Sequence, residues 1–220
     1  DRLRAEIEAA GWRIVDRGTD FALSPATPPT VEEAGEVRYG SSDGVPSLLD
    51  EPSTSLATVI LLATDWPADL ERALDALAST SPESVGIVVV ADGPAPEQAD
   101  TLAAVAARPS VELVRTTERL GQGAALNVGI RRATGDVVVV LDTSVEATGD
   151  VITPLVQALA DPAVAVAGGW GIVSDDLRHF DDAPPGDVTA SEGDAMAFRR
   201  ADAAARGPLD EHFRFYRNLD

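Results

Sequence analysis

Residues 119–150 read RLGQGAALNVGIRRATGDVVVVLDTSVEATGD, and this stretch decides the fold. Gly121 and Gly123 mark a turn, and Ala125, Ile130 and Ala133 recur at helical spacing on one inner side. Thr134-Gly135-Asp136 breaks that helix, and Val137 to Leu141 is a wholly apolar run of strand length that closes on Asp142. The pattern predicts a glycine turn, a crossover helix and a buried strand delivering a carboxylate to its C-terminal end. In an open α/β sheet the loops beyond the strand C-termini diverge where strand order reverses, and the crevice left there binds ligands. Asp142 is therefore the first candidate site residue.

Upstream the same alternation repeats. Ala57 to Ala63 is an apolar strand, followed by a helix from Pro67 to Ser79 with Leu70, Ala73, Leu74 and Leu77 on one face. Val85 to Ala91 is a second strand ending on Asp92-Gly93, followed by a helix over about Pro96 to Ala107 and a shorter strand, Val111 to Val114. Strands that are apolar throughout and alternate with helices of this length predict an α/β fold. Its sheet is mostly parallel, crossed over right-handedly and covered by helices on both faces. Before it, Asp1 to Ala10 has helical spacing and stops at Gly11, and Trp12 to Val15 with Phe21 to Leu23 reads as a hairpin. Residues 24–55 are rich in Pro, Gly, Ser and acids, as a linker is. The expected organisation is a helix-and-hairpin appendage over 1–23, a linker over 24–55 and one main domain over 56–220, truncated at its C-terminus.

Composition narrows the function. The net charge is −20, from 37 acidic and 17 basic residues, and every basic residue is Arg. A surface of that sign repels nucleic-acid phosphates and anionic lipid, so neither partner is expected. Without Cys there is no disulfide framework, thiolate metal site or thiol nucleophile. No run approaches the roughly 18 apolar residues of a membrane span and no signal peptide is visible, so a cytoplasmic, acidic enzyme is expected. Gly40-Ser41-Ser42-Asp43-Gly44 has the spacing of a serine-hydrolase elbow, but it lacks the buried strand before and the helix after that the elbow requires. His179 and His212, the only bases available to it, read as ordinary polar residues. Gly121-Gln122-Gly123 is half of a dinucleotide fingerprint whose third glycine is replaced by Leu126, and a P-loop needs a Lys that the chain lacks. A sugar-nucleotidyltransferase would carry a glycine-rich basic turn where this chain has Ala63-Thr64-Asp65-Trp66-Pro67.

The order of the remaining motifs resembles the family-2 glycosyltransferases. Thr64-Asp65-Trp66-Pro67, Leu70-Glu71-Arg72-Ala73-Leu74 and Asp92-Gly93-Pro94 are similar to that family's donor-nucleotide half. Asn127 and Gly129, the Ala133-Thr134-Gly135-Asp136 turn and Asp142-Thr143-Ser144 are similar to its central signature, with Ser144 in place of the last acid of an Asp-x-Asp. Gly168-Gly169-Trp170-Gly171, Glu192-Gly193, Phe198-Arg199-Arg200, Gly207-Pro208-Leu209-Asp210-Glu211 and 213–220 are similar to the acceptor half. The resemblance spans roughly 56–220. It implies the GT-A fold, a Rossmann-like, mostly parallel sheet sandwiched by helices, and an inverting hexosyl transfer from a nucleotide-sugar donor to an acceptor hydroxyl.

The resemblance further implies donor or substrate contacts from Thr64, Asp65, Asp92, Arg119, Asn127, Asp142, Ser144, Trp170 and Glu192. Physically, Asp65 and Asp92 offer directional acceptors for a base and ribose, and the fork of Arg119 matches diphosphate oxygens. Asp142 is a hard ligand for Mn²⁺ or Mg²⁺, Ser144 is a weak one, and Glu146 is the nearest substitute carboxylate. Trp170 serves as a sugar platform or as a core plug. By resemblance Asp220 is the general base, with Leu219 where the family has a Glu; Asp210, Glu211 and Glu192 are the alternatives. Each strand-end Asp alone also fits an ordinary turn, but three in family order favour a site. A rival function is a non-catalytic module that keeps the GT-A fold after losing the metal motif.

Overall fold

The computed structural model describes residues 12–17, 20–25, 55–63, 66–191 and 193–211. Strands β1 (Trp12–Arg17) and β2 (Asp20–Pro25) pair antiparallel, with Arg17 opposite Asp20. The predicted hairpin is thus present with longer arms, while the helix expected over 1–10 and most of the linker lie outside the described residues.

The main unit runs β3 (Ser55–Ala63), α1 (Pro67–Thr80), β4 (Val85–Ala91), α2 (Ala99–Ala106), β5 (Val111–Arg115), α3 (Gln122–Arg132), β6 (Gly135–Leu141) and α4 (Ile152–Ala158). It continues through β7 (Val166–Gly168), β8 (Gly171–Val173), β9 (Asp181–Asp182), β10 (Ala190–Ser191), β11 (Ala195–Arg199) and α5 (Arg200–Arg206). Six strands form one sheet in the order β5-β4-β3-β6-β11-β7. The first four are parallel, and β11 runs antiparallel to both β6 and β7. A small antiparallel sheet, β10-β8-β9, is built from the segment between β7 and β11.

Strand alternation divides the core. Val59 and Leu61 of β3, Val89 of β4 and Val139 of β6 point to one face, where Leu70, Leu74 and Leu77 of α1, Leu102 and Val105 of α2, and Ile152 and Leu155 of α4 cover them. Ile60, Val88, Val90, Val138 and Val140 point to the other face, under Ala125, Leu126, Val128 and Ile130 of α3 and Ala203 of α5. Each fully buried Leu, Ile or Val contributes about 1.5–3 kcal/mol, so the two faces together outweigh any single turn. The chain moves outward from β3 to β5 with helices on one face, then returns to the far side of β3. Keeping the crossover right-handed on that return places α3 on the opposite face, and the reversal between β3 and β6 is the switch point.

Gly135 and Asp136, read from sequence as a break, are the first residues of β6. The buried Thr58 hydroxyl accepts hydrogen bonds from Thr134 N at 3.1 Å and Gly135 N at 2.9 Å, ending the helix connection and starting the strand at once. A Cβ on Gly135 would sit 2.5 Å from the Ala57 carbonyl carbon, so glycine is what lets β6 begin tight against β3. The helix predicted from Pro96 begins as a 3-10 turn, Pro96–Gln98, and becomes α-helical at Ala99. Arg199, within the Phe198-Arg199-Arg200 motif, donates to Leu159 O at 3.2 Å and to Asp161 O and Val164 O at 2.8 Å, capping the carbonyls beyond α4.

Candidate active site

The parallel strands end together. Ala63 is in register with Ala91 and Leu61 with Leu141, so Asp92 and Asp142 leave the sheet on the same edge, flanking β3. Two strand spacings put these backbones about 10 Å apart.

Asp92 is half-buried and bound into its surroundings. Its Oδ1 accepts from Leu120 N at 2.7 Å and from Thr116 Oγ1 at 3.0 Å, and its Oδ2 accepts from Gly121 N at 2.9 Å. Thr116 in turn accepts from Gly93 N at 2.7 Å, and its single hydroxyl hydrogen is shared between Asp92 and Glu118 O, which lies 2.8 Å away. Gly93 has φ +56, and a side chain there would run into the backbone of Arg119. The Asp92-Gly93 strand end is therefore a clasp on the glycine turn that starts α3. Its carboxylate, with about four lone-pair sites, keeps capacity for one further donor. Arg119 sits exposed on that turn.

Asp142 is half-buried at the end of β6. Its backbone N donates to Asp194 O at 2.8 Å, and its Oδ1 accepts from Ser144 N at 2.8 Å, a side-chain turn that directs the chain away from the sheet. Thr143 is buried and Ser144 exposed. Glu146, the substitute carboxylate considered from sequence, lies 3.4 Å from the Arg72 guanidinium, which also holds Asp69 at 2.7 Å. Among the described residues no three His, Cys, Asp or Glu side chains converge into a metal cage. That donor set fits a divalent ion only in the mode where substrate phosphates supply most of the oxygens and one or two carboxylates the rest.

Trp170 is 54 % exposed, so it is not a core plug; Ser191 Oγ donates to its carbonyl at 3.3 Å. Asn127 is buried in α3, with its amide engaged by Leu209 and Glu211. Thr64, Asp65, Glu192 and Asp220 lie outside the described residues. Trp66, quoted from sequence only within the Thr64-Asp65-Trp66-Pro67 motif, is 71 % exposed where the chain leaves β3 for α1. His179, dismissed as a base, is exposed and pairs through Nδ1 with Asp176 Oδ2 at 2.7 Å. The His179 ring hydrogen bond, followed by the His179 and Arg178 amides, lowers the Asp176 carboxyl to about 2.

The description "Glycosyl transferase family 2" fits residues 58–207, more than half of the chain. Among solved structures, the mannosyltransferase PcManGT from Pyrobaculum calidifontis, in complex with GDP-Man and Mn²⁺, superposes with a TM-score of 0.57 at 21% identity. That alignment covers 74% of this chain and 52% of the other. GalNAc-T7 with UDP, GalNAc and Mn²⁺ superposes with a TM-score of 0.56 at 16% identity, over 70% of this chain and 36% of that one. At these identities the likeness is one of fold, the GT-A sandwich, and the chain spans about half or less of the length of the structures it matches. No curated protein sequence matches it. No described helix is long and apolar enough to cross a membrane.

Proposed function

This chain belongs to glycosyl transferase family 2, and from that premise we propose that it transfers a hexosyl group, with inversion, from a nucleoside-diphosphate sugar to an acceptor hydroxyl. The observation that carries the reading is the shared edge. Asp92, the glycine turn it clasps and Asp142 all meet at the C-terminal ends of β4, β3 and β6, around the switch point. The two structural neighbours bind nucleotide or nucleotide-sugar together with Mn²⁺, which supports the same ligand class here.

In this reading Thr64, Asp65 and Asp92 hold base and ribose, and the exposed indole of Trp66 offers a stacking face for the base. Arg119 takes the diphosphate through charge-assisted hydrogen bonds. A divalent ion would be held by Asp142, with Ser144 beside it, and when bound would neutralise charge developing on the leaving diphosphate. Trp170 and Glu192 are assigned to the sugar and acceptor by the family resemblance alone. The acceptor oxygen attacks the anomeric carbon opposite the diphosphate, the new C–O bond forming as the bond to phosphate oxygen breaks. Asp220 takes the hydroxyl proton, a role worth about 10²- to 10⁴-fold in rate.

The test is a thermal-shift series with UDP, GDP and their sugars, with and without Mn²⁺, followed by measured release of nucleoside diphosphate in the presence of acceptor. A ligand at 100 times its Kd stabilises the native state by about 2.7 kcal/mol, which such a series detects. No shift with any nucleotide would overturn the proposal. Ser144 in place of an acid favours the rival, a non-catalytic binding module, and a shift without any turnover in a chain extended past Asp220 would select it.

A further inference from the structure

We infer that Asn127 is a positioning residue: it clamps the 207–211 loop to α3 and thereby sets the Asp210-Glu211 segment relative to the donor crevice. The inference rests on the glycosyl-transfer reading for what the loop does, and on geometry alone for the clamp. Asn127 is 2% exposed, and an amide at that depth has to spend its hydrogen-bonding groups on protein. Its Nδ2 donates to Leu209 O at 3.0 Å and to Glu211 Oε1 at 3.0 Å, while its Oδ1 accepts from Leu209 N at 2.9 Å. The orientation is unambiguous, because a flipped amide would set its oxygen against a carbonyl and a carboxylate. Both donor hydrogens are thus used, and one side chain grips both polar groups of the Leu209 backbone as a neighbouring strand would.

The location gives the clamp its consequence. Asp92 holds the turn that leads into α3 through Leu120 and Gly121, and Asn127 holds the loop from the same helix. From Gly121 to Asn127 is about 9 Å along a helix rising 1.5 Å per residue. A short rigid element therefore fixes the spacing between a donor-side carboxylate and the segment that leads into 212–220. With both hydrogens of its amide spent on the loop, Asn127 acts through the loop, whereas the family resemblance alone had placed it against the donor.

The experiment compares wild type, Asn127→Asp, Glu211→Ala and the double variant Asn127→Asp with Glu211→Gln. Asn127→Asp removes both donated hydrogens and sets a carboxylate against Glu211. Adding Glu211→Gln restores a bond with donor and acceptor exchanged. Two readouts are taken: tryptic cleavage after Arg206, and Kd for UDP and GDP in Mn²⁺. Cleavage tracks the open population, so Asn127→Asp should raise it about tenfold or more, the factor expected for losing a charge-assisted hydrogen bond. Glu211→Ala should raise it less, and the double variant should return it part of the way to wild type, because the bond to Leu209 O stays lost. Nucleotide Kd should stay within about twofold in every variant, and kcat for sugar transfer should fall without a change in donor KM, the signature of a group that acts after donor binding. A nucleotide Kd weakened about tenfold with unchanged cleavage would make Asn127 a donor contact and overturn the inference, as would failure of Glu211→Gln to rescue. If Asn127→Asp does not fold, Glu211→Ala decides, since it removes one bond from the exposed side without touching α3. Absence of nucleotide binding in wild type would sink glycosyl transfer while the cleavage pattern still decides the clamp.

Discussion

At Asp92 the carboxylate oxygens accept from two backbone amides and a hydroxyl before any ligand arrives. Asp92→Ala should therefore destabilise the fold by about 1–3 kcal/mol, because it strands donors in a half-buried turn, and Asp92→Asn should cost less. Urea denaturation measures both, and equal, negligible losses would make the clasp incidental. Trp66 is the contrasting case, with its indole 71 % exposed. Trp66→Ala should weaken nucleotide binding by about 1–3 kcal/mol, the worth of a base stacked on an aromatic ring, and calorimetric titration reads it directly. At Ser144 a restored acid should tighten Mn²⁺; if Ser144→Asp changes nothing while wild type already binds the ion firmly, another ligand set is in use. Asp176 gives the pH signature. Its folded value, about 2, lies below the ordinary 3.8. Its bonds to Ser174, Arg178 and His179 thus contribute fully above pH 3.8, and their contribution is lost as pH falls toward 2. A carboxyl NMR titration centred near the ordinary value would contradict the turn geometry.

At the scale of elements, some of the motifs that suggested chemistry build the fold. The turn 133–136 builds: Thr58 satisfies two amides and Gly135 allows the close approach of β6 to β3. Thr58→Val should cost about 1–3 kcal/mol by leaving those amides unpaired, and Thr58→Ser should recover most of it. Gly135→Ala, forced against the Ala57 and Thr58 backbone, should lose about 1–3 kcal/mol by overpacking. Gly149, with open space around it, is the control: Gly149→Ala should be neutral or slightly stabilising. Chemical denaturation of the four variants checks the ranking. The extent of α1 was legible to within one residue because Pro67 starts it and Leu70, Ala73, Leu74 and Leu77 repeat on one face. The start of β6 was not, because Thr-Gly-Asp is a breaker by local propensity, and only the Thr58 hydroxyl on another strand turns it into a strand start.

For the whole molecule, a net charge of −20 opposes compaction through self-repulsion. Raising NaCl from about 0.01 M to about 1 M shortens the screening length from about 30 Å to about 3 Å, so Tm should rise with salt, and a flat or falling Tm would mean the charges are already compensated locally. The sequence by itself determined the alternation of strands and helices, the parallel sheet, the family and the placing of Asp92 and Asp142 at strand ends. These are properties of local periodicity and of motifs held in chain order. What only the tertiary structure decided was how each side chain is used. Asp92 grips Leu120 and Gly121, and Asn127 reaches Leu209 and Glu211 across 82 and 84 positions. Arg199 caps the chain beyond α4, and Trp170 stays in solvent. No periodicity encodes such partners, because a hydrogen bond is chosen by which backbone groups the packed sheet and helices bring within about 3 Å of one another, and that proximity exists only once the chain has folded.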